Sequence, residues 1–116
     1  MSRKVPGFLP QVSCSILLAL SLRPRHGYEL MQQIEEDSLG KIKLGPGALY
    51  GSIRQLREDD MIEEMPDMGN DRRRYYRITP AGRKRLGAEL QYFEKSVSLA
   101  RQRQVFDNPI IRGVAA

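Results

Sequence analysis

A chain of 116 residues with net charge +5, 41% hydrophobic by a broad count and 28% charged, has the composition of one ordinary folded domain, neither disordered nor fibrous. No apolar run approaches the roughly 20 residues of a membrane-spanning helix. Pro6, Gly7 and Pro10 interrupt the stretch after Arg3 and Lys4, so no membrane contact and no secretory signal are expected and the chain reads as cytoplasmic. A single cysteine (Cys14) and a single histidine (His26) cannot form an internal disulfide and are too few for a structural zinc site, so no metal and no cofactor are expected.

Residues 1–10, with the same two prolines and glycine, read as a flexible arm. Val12, Ile16, Leu17 and Leu20 then recur at helical spacing and predict a buried helix over 11–22, ended by Arg23-Pro24-Arg25. Cys14 falls inside it, where a small core residue is the expected role and a thiol sensor the alternative. A second helix is predicted over 27–37 on the apolar face Leu30, Met31 and Ile34, with a loop over 38–44. His26, just before it, suits a capping or surface role rather than catalysis.

Gly45-Pro46 opens a third helix, since proline is favoured where a helical N–H has no acceptor. Leu49, Ile53 and Leu56 form its buried stripe, and Gly47, Gly51, Arg54 and Gln55 point roughly the other way, with Tyr50 and Arg57 between. Two glycines on an exposed helical face cost about 1 kcal/mol each relative to alanine. Close approach of a large partner is one reason to keep them.

Two short strands come next, over 62–65 and 72–78, joined by a turn-rich tip at 66–71. Alternation puts Tyr76 and Ile78 on one face, and Arg73, Tyr75 and Arg77 on the other. Tyr28 and Tyr76 are both expected in the core, with a ligand-stacking pair as the alternative. Thr79-Pro80 is a cap and first residue for a last helix over 80–104. Leu86, Leu90, Phe93, Val97 and Ala100 are spaced four, three, four, three, the alternation of a coiled-coil seam.

The fold class is therefore mainly α with a small β-wing: a winged helix-turn-helix over 11–79, a dimerisation helix over 80–104 and a tail over 105–116. The segments His26-Gly27-Tyr28-Glu29-Leu30, Gly45-Pro46-Gly47-Ala48-Leu49-Tyr50 and Arg74-Tyr75-Tyr76-Arg77-Ile78-Thr79-Pro80-Ala81-Gly82 resemble the PadR family of transcriptional regulators. The likeness spans roughly residues 12–104 and is closest to the subfamily with a single short C-terminal helix. It implies a homodimeric DNA-binding regulator, usually a repressor, whose third helix enters the major groove and whose wing lies along the backbone. It also implies a small-molecule effector at the dimer interface, where Tyr92 and Phe93 are the aromatics of the last helix. One departure is Asp59-Asp60-Met61-Ile62-Glu63, where the family usually closes the third helix with a glycine.

Double-stranded DNA is thus the expected partner. Arg54 and Gln55 can pair bidentately with bases, with Ser52 as helper. Gly47 and Gly51 would let the helix sit deep, and the Tyr50 hydroxyl could reach a phosphate. Arg72 and Arg73, nearest the wing tip, then Arg74, Lys41 and Lys43 are expected phosphate contacts. Arg83, Lys84 and Arg85 read as a solvated face. The seam residues Leu86, Leu90, Phe93, Val97 and Ala100 are assigned to a homodimer. The carboxylates group as Glu35-Glu36-Asp37 and Glu58-Asp59-Asp60, like solvated helix ends, and no nucleophile or acid–base pair is evident, so an enzyme is not expected. The competing function is a winged-helix interaction module that has lost DNA binding.

Overall fold

The computed structural model describes residues 7–66 and 73–106. Along them run α1 (Gln11–Leu20), β1 (Arg25–His26), α2 (Gly27–Asp37), α3 (Pro46–Glu58), β2 (Ile62–Glu64), β3 (Tyr75–Ile78) and α4 (Pro80–Gln102). The strands form one antiparallel sheet in the order β1-β3-β2, with Arg25 opposite Tyr76 and Ile62 opposite Ile78. The chain divides into two compact units, one ending at Leu86 and the other beginning at Gly87, within α4.

In the first unit the helical periodicities converge on one core. Ile16, Leu17 and Leu20 from α1, Leu30 and Ile34 from α2, and Leu49, Ile53 and Leu56 from α3 are all buried, with Tyr76 of β3 among them. Each such side chain contributes about 1.5–3 kcal/mol on burial. Cys14 is half-buried and packs against this cluster. The last residues of the expected arm are engaged: Leu9 is buried in the core, and Arg85 Nη2 donates to the Gly7 carbonyl at 2.9 Å. Residues 1–6 lie outside the described part.

The strand β1 is an addition to the four-helix, two-strand expectation. It places His26 at the N-cap of α2, where the Glu29 amide donates to His26 Nδ1 at 3.4 Å and the His26 amide donates to Glu29 Oε1 at 3.2 Å. This reciprocal capping satisfies two donors that a helix start leaves without partners. Arg23 Nη2 lies 3.2 Å from Glu29 Oε2. Burial pushes the Glu29 carboxyl up, but the hydrogen bonds from Arg23 and the His26 backbone, with the charges of His26 and Arg23, outweigh it and hold the group below its ordinary 4.5. A depressed carboxylate stabilises the fold above its unfolded pKa and ceases to do so as pH falls through the folded value. Glu29→Ala is therefore expected to lose about 1 kcal/mol at neutral pH. Urea melts at a series of pH values should show that deficit shrinking only below pH 4.5.

Helix α3 starts on Gly45 with Pro46 in its first turn. It ends through Asp60, which adopts a left-handed φ of 60° while Met61 N donates to the Leu56 carbonyl at 2.9 Å. Aspartate thus does here what glycine does more easily. Thr79 caps α4 as expected, its Oγ1 accepting from the Gly82 amide at 2.9 Å. Gly82 lies so close to the Met61 carbonyl that a Cβ there would collide with it. That close seating carries Leu86, one turn further on, into the core, where it is 4% exposed. Leu86 is therefore a core residue of its own chain, a correction to its assignment to the dimer seam.

In the second unit, α4 shows Leu90, Phe93 and Val97 at 38%, 44% and 38% exposure, and Ala100 half-buried. Tyr92 and Phe93 meet edge-to-face, with centroids 5.7 Å apart. The helix closes through Gln104, at φ 56°, with Val105 N donating to the Ala100 carbonyl at 2.9 Å. No helix among the described residues is long and apolar enough to cross a membrane.

Candidate nucleic-acid interface

The buried stripe of α3 fixes what its opposite side can be. With Leu49, Ile53 and Leu56 turned inward, the residues Gly47, Ala48, Gly51, Arg54, Gln55 and Glu58 are exposed. Nothing lies within 4 Å of where a Cβ would stand at Gly47 or Gly51, so this face is smooth by composition and not by crowding. Arg54 rises from it with no ion pair or side-chain hydrogen bond to any described residue. Gln55 is different, because its Nε2 donates to Asp59 Oδ2 at 3.2 Å. Ser52 is half-buried and stands at the edge of the face.

The cations around this face fall into two classes. Lys41 and Lys43 are exposed while the alternate residues Ile42 and Leu44 pack on the core, so the loop before α3 presents its charges outward. By contrast, the wing arginines are partly matched by acids. Glu64 sits between Arg57 Nη1 at 3.3 Å and Arg74 Nε at 3.8 Å, and Arg77 Nε lies 2.7 Å from Glu63 Oε2. Arg73 is exposed beside Arg74. Arg72 lies outside the described residues.

The strand β1 brings a second set of groups to the wing. His26, Gly27, Tyr28, Tyr50, Arg73 and Arg74 line an open cleft of about 400 Å³. Glu29's amide is taken by the His26 cap, which leaves the Gly27 and Tyr28 amides as first-turn donors at the positive end of the helix. A Cβ at Gly27 would meet the Tyr50 hydroxyl, the outer end of an exposed side chain that would have to shift. His26 stands edge-on to Tyr75 with centroids 5.2 Å apart. Tyr28, expected in the core, is 61% exposed, because at the second helical position it points away from Leu30 and Ile34. Tyr76 is buried as expected, and burial, with Glu64 and Tyr50 nearby, raises its hydroxyl above the usual tyrosine value.

The start of α2, two tyrosines and two arginines thus surround one cleft, and a smooth helical face carrying Arg54, unpaired among the described residues, lies beside it. The residues 16–88 match the model of the transcriptional regulator PadR-like family. The chain belongs to that family. A PadR family transcription regulator from Clostridium difficile has the same fold, with a TM-score of 0.71 and 19% identity over 82% of this chain and 99% of its own. Bacillus subtilis PadR, solved in complex with operator DNA, superposes with a TM-score of 0.61 and 17% identity over 70% of this chain and 47% of its own. A 37.1 kDa protein in transposon TN4556 of Streptomyces fradiae is 38% identical over 74 residues, which is 64% of this chain and 20% of that protein. This PadR-like chain thus spans about a fifth of that relative's length.

Sequence reasoning found the α3 face and the wing of this PadR-like protein. It missed the cleft, to which Gly27, Tyr28 and His26 contribute. The signal was present in the His26-Gly27-Tyr28 motif, where a glycine and then an exposed tyrosine open a helix. Arg83 is exposed as expected, and its Nη2 donates to the Ser21 carbonyl at 3.0 Å. Arg85, also expected on a solvated face, is half-buried and donates to the Gly7 carbonyl.

Proposed function

We propose that this chain is a sequence-specific DNA-binding transcriptional repressor that reads an inverted-repeat operator as a homodimer in the cytoplasm. Residues 11–79 bind DNA and residues 80–104 pair the two copies. Helix α3 enters the major groove, with Arg54 and Gln55 on base edges and Gly47, Gly51, Tyr50 and Ser52 allowing or supporting close approach. Lys41, Lys43, Arg72, Arg73 and Arg74 meet phosphates, as do the amides and hydroxyls of the cleft. The observation that carries the reading is Arg54: it is exposed on a smooth helical face and engaged by no described acid, although acids tie other arginines nearby. Leu90, Phe93, Val97 and Ala100 supply the dimer seam. Two copies related by a two-fold axis read half-sites about one helical turn apart. A small-molecule effector would act at that interface, near Tyr92 and Phe93. None of these roles requires catalysis.

The test is selection of genomic fragments by the purified protein near physiological salt. Recovery of a shared inverted repeat is the expected result, and its centre-to-centre spacing gives the dimer geometry. Recovery of nothing above background would favour the protein-interaction module instead.

A further inference from the structure

A second open cavity, of about 370 Å³, lies in the first unit where the end of α1 and the strand β1 meet α2. It shares no residue with the cleft at the start of α2. Arg25 lines it and is only 7% exposed. A charge taken this far out of water needs a partner. Arg25 Nε has one, donating to the Ala19 carbonyl at 2.8 Å. Its two terminal nitrogens make no hydrogen bond or ion pair with any described residue. Arg25 itself is among the residues that line the cavity. Two exposed apolar side chains belong to the lining, Leu18 at 43% and Leu22 at 84% exposure. Asp37 also lines it, its Oδ1 accepting from Gln33 Nε2 at 2.9 Å.

We propose that this cavity is a binding site for a small organic monocarboxylate with an apolar body. The free edge of a guanidinium is a planar pair of donors that matches the two oxygens of a carboxylate. The apolar body lies against Leu18 and Leu22, removing them from water. The volume suits a small molecule. Asp37 sets the selectivity: a second carboxylate on the ligand would meet a like charge, so a dicarboxylate of the same length binds less well.

The test compares hexanoate, adipate and 1-hexanol, which share a six-carbon chain and differ in carboxylate number, by thermal melting of the full chain without DNA. Hexanoate at about 10 mM is expected to raise the midpoint by roughly 2 °C or more, and the other two by less than half of that. Arg25→Lys keeps the charge, loses the planar fork and should lose the hexanoate response. Because Arg25 also holds the Ala19 carbonyl, a second variant is needed. Leu22→Glu, at a surface position, sets a carboxylate on the rim and should abolish the hexanoate response while keeping the fold by circular dichroism. No shift with hexanoate, an equal shift with adipate or 1-hexanol, or a Leu22→Glu response matching the wild type would each overturn the proposal. Failure of the operator selection would leave this result untouched.

Discussion

Leu90→Glu is expected to yield a folded monomer that no longer binds its operator. Leu90 is 38% exposed in the single chain, so the substitution removes little from the chain's own core. In the proposed dimer the same position is buried twice, once on each copy. The change forfeits about 1.5–3 kcal/mol of apolar burial per copy and sets two carboxylates against one seam. Phe93 and Val97, the next seam residues, cannot offset two desolvated like charges. Loss of the second half-site should weaken operator binding by roughly a hundredfold or more, since linked sites gain that much from effective concentration. Light scattering reads the oligomeric state and circular dichroism the fold. A mutant that remains dimeric would remove α4 as the pairing element.

The second large effect is on sequence reading. Arg54→Ala should cost about 1–3 kcal/mol on the selected operator and relax preference at one base position in each half-site. Arg73→Ala, on the wing, should weaken cognate and random duplexes alike and reduce the salt slope by about 1. The two variants thus separate a base contact from a phosphate contact by their pattern and not merely by their size. Equal losses on both kinds of DNA for both variants would show that the roles are wrongly assigned.

Much of the fold was legible because long elements carry a period. The stripe Leu49, Ile53, Leu56 and the spacing of Leu30 and Ile34 each define a helix face, and each is buried. Thr79 and Pro80 marked the start of α4 through capping chemistry alone. The strand β1 was not legible, since two residues show no alternation and its pairing with β3 is a long-range matter. The cleft at the start of α2 depends on β1 and was hidden with it. Leu86 shows the limit of a heptad reading: the spacing identifies an apolar side of α4 but not which turns the chain's own core has already claimed. Arg25, at the end of a helix-breaking Arg-Pro-Arg run, gave no hint of burial, because burial there depends on the meeting of α1, β1 and α2.

Helix α3 keeps its two obligations on opposite sides. Its inner side holds the first unit together, while at Gly47 and Gly51 nothing stands within 4 Å of a would-be side chain. Side chains can be exchanged on the outer side with no repacking of the core, and a glycine replaced there would gain helix propensity of about 1 kcal/mol. On the proposed reading, in which this outer side meets the bases, mutational drift can change which DNA address such a protein answers to without passing through an unfolded intermediate. Duplicated copies of one gene could diverge to separate operators by single steps, each of them structurally silent.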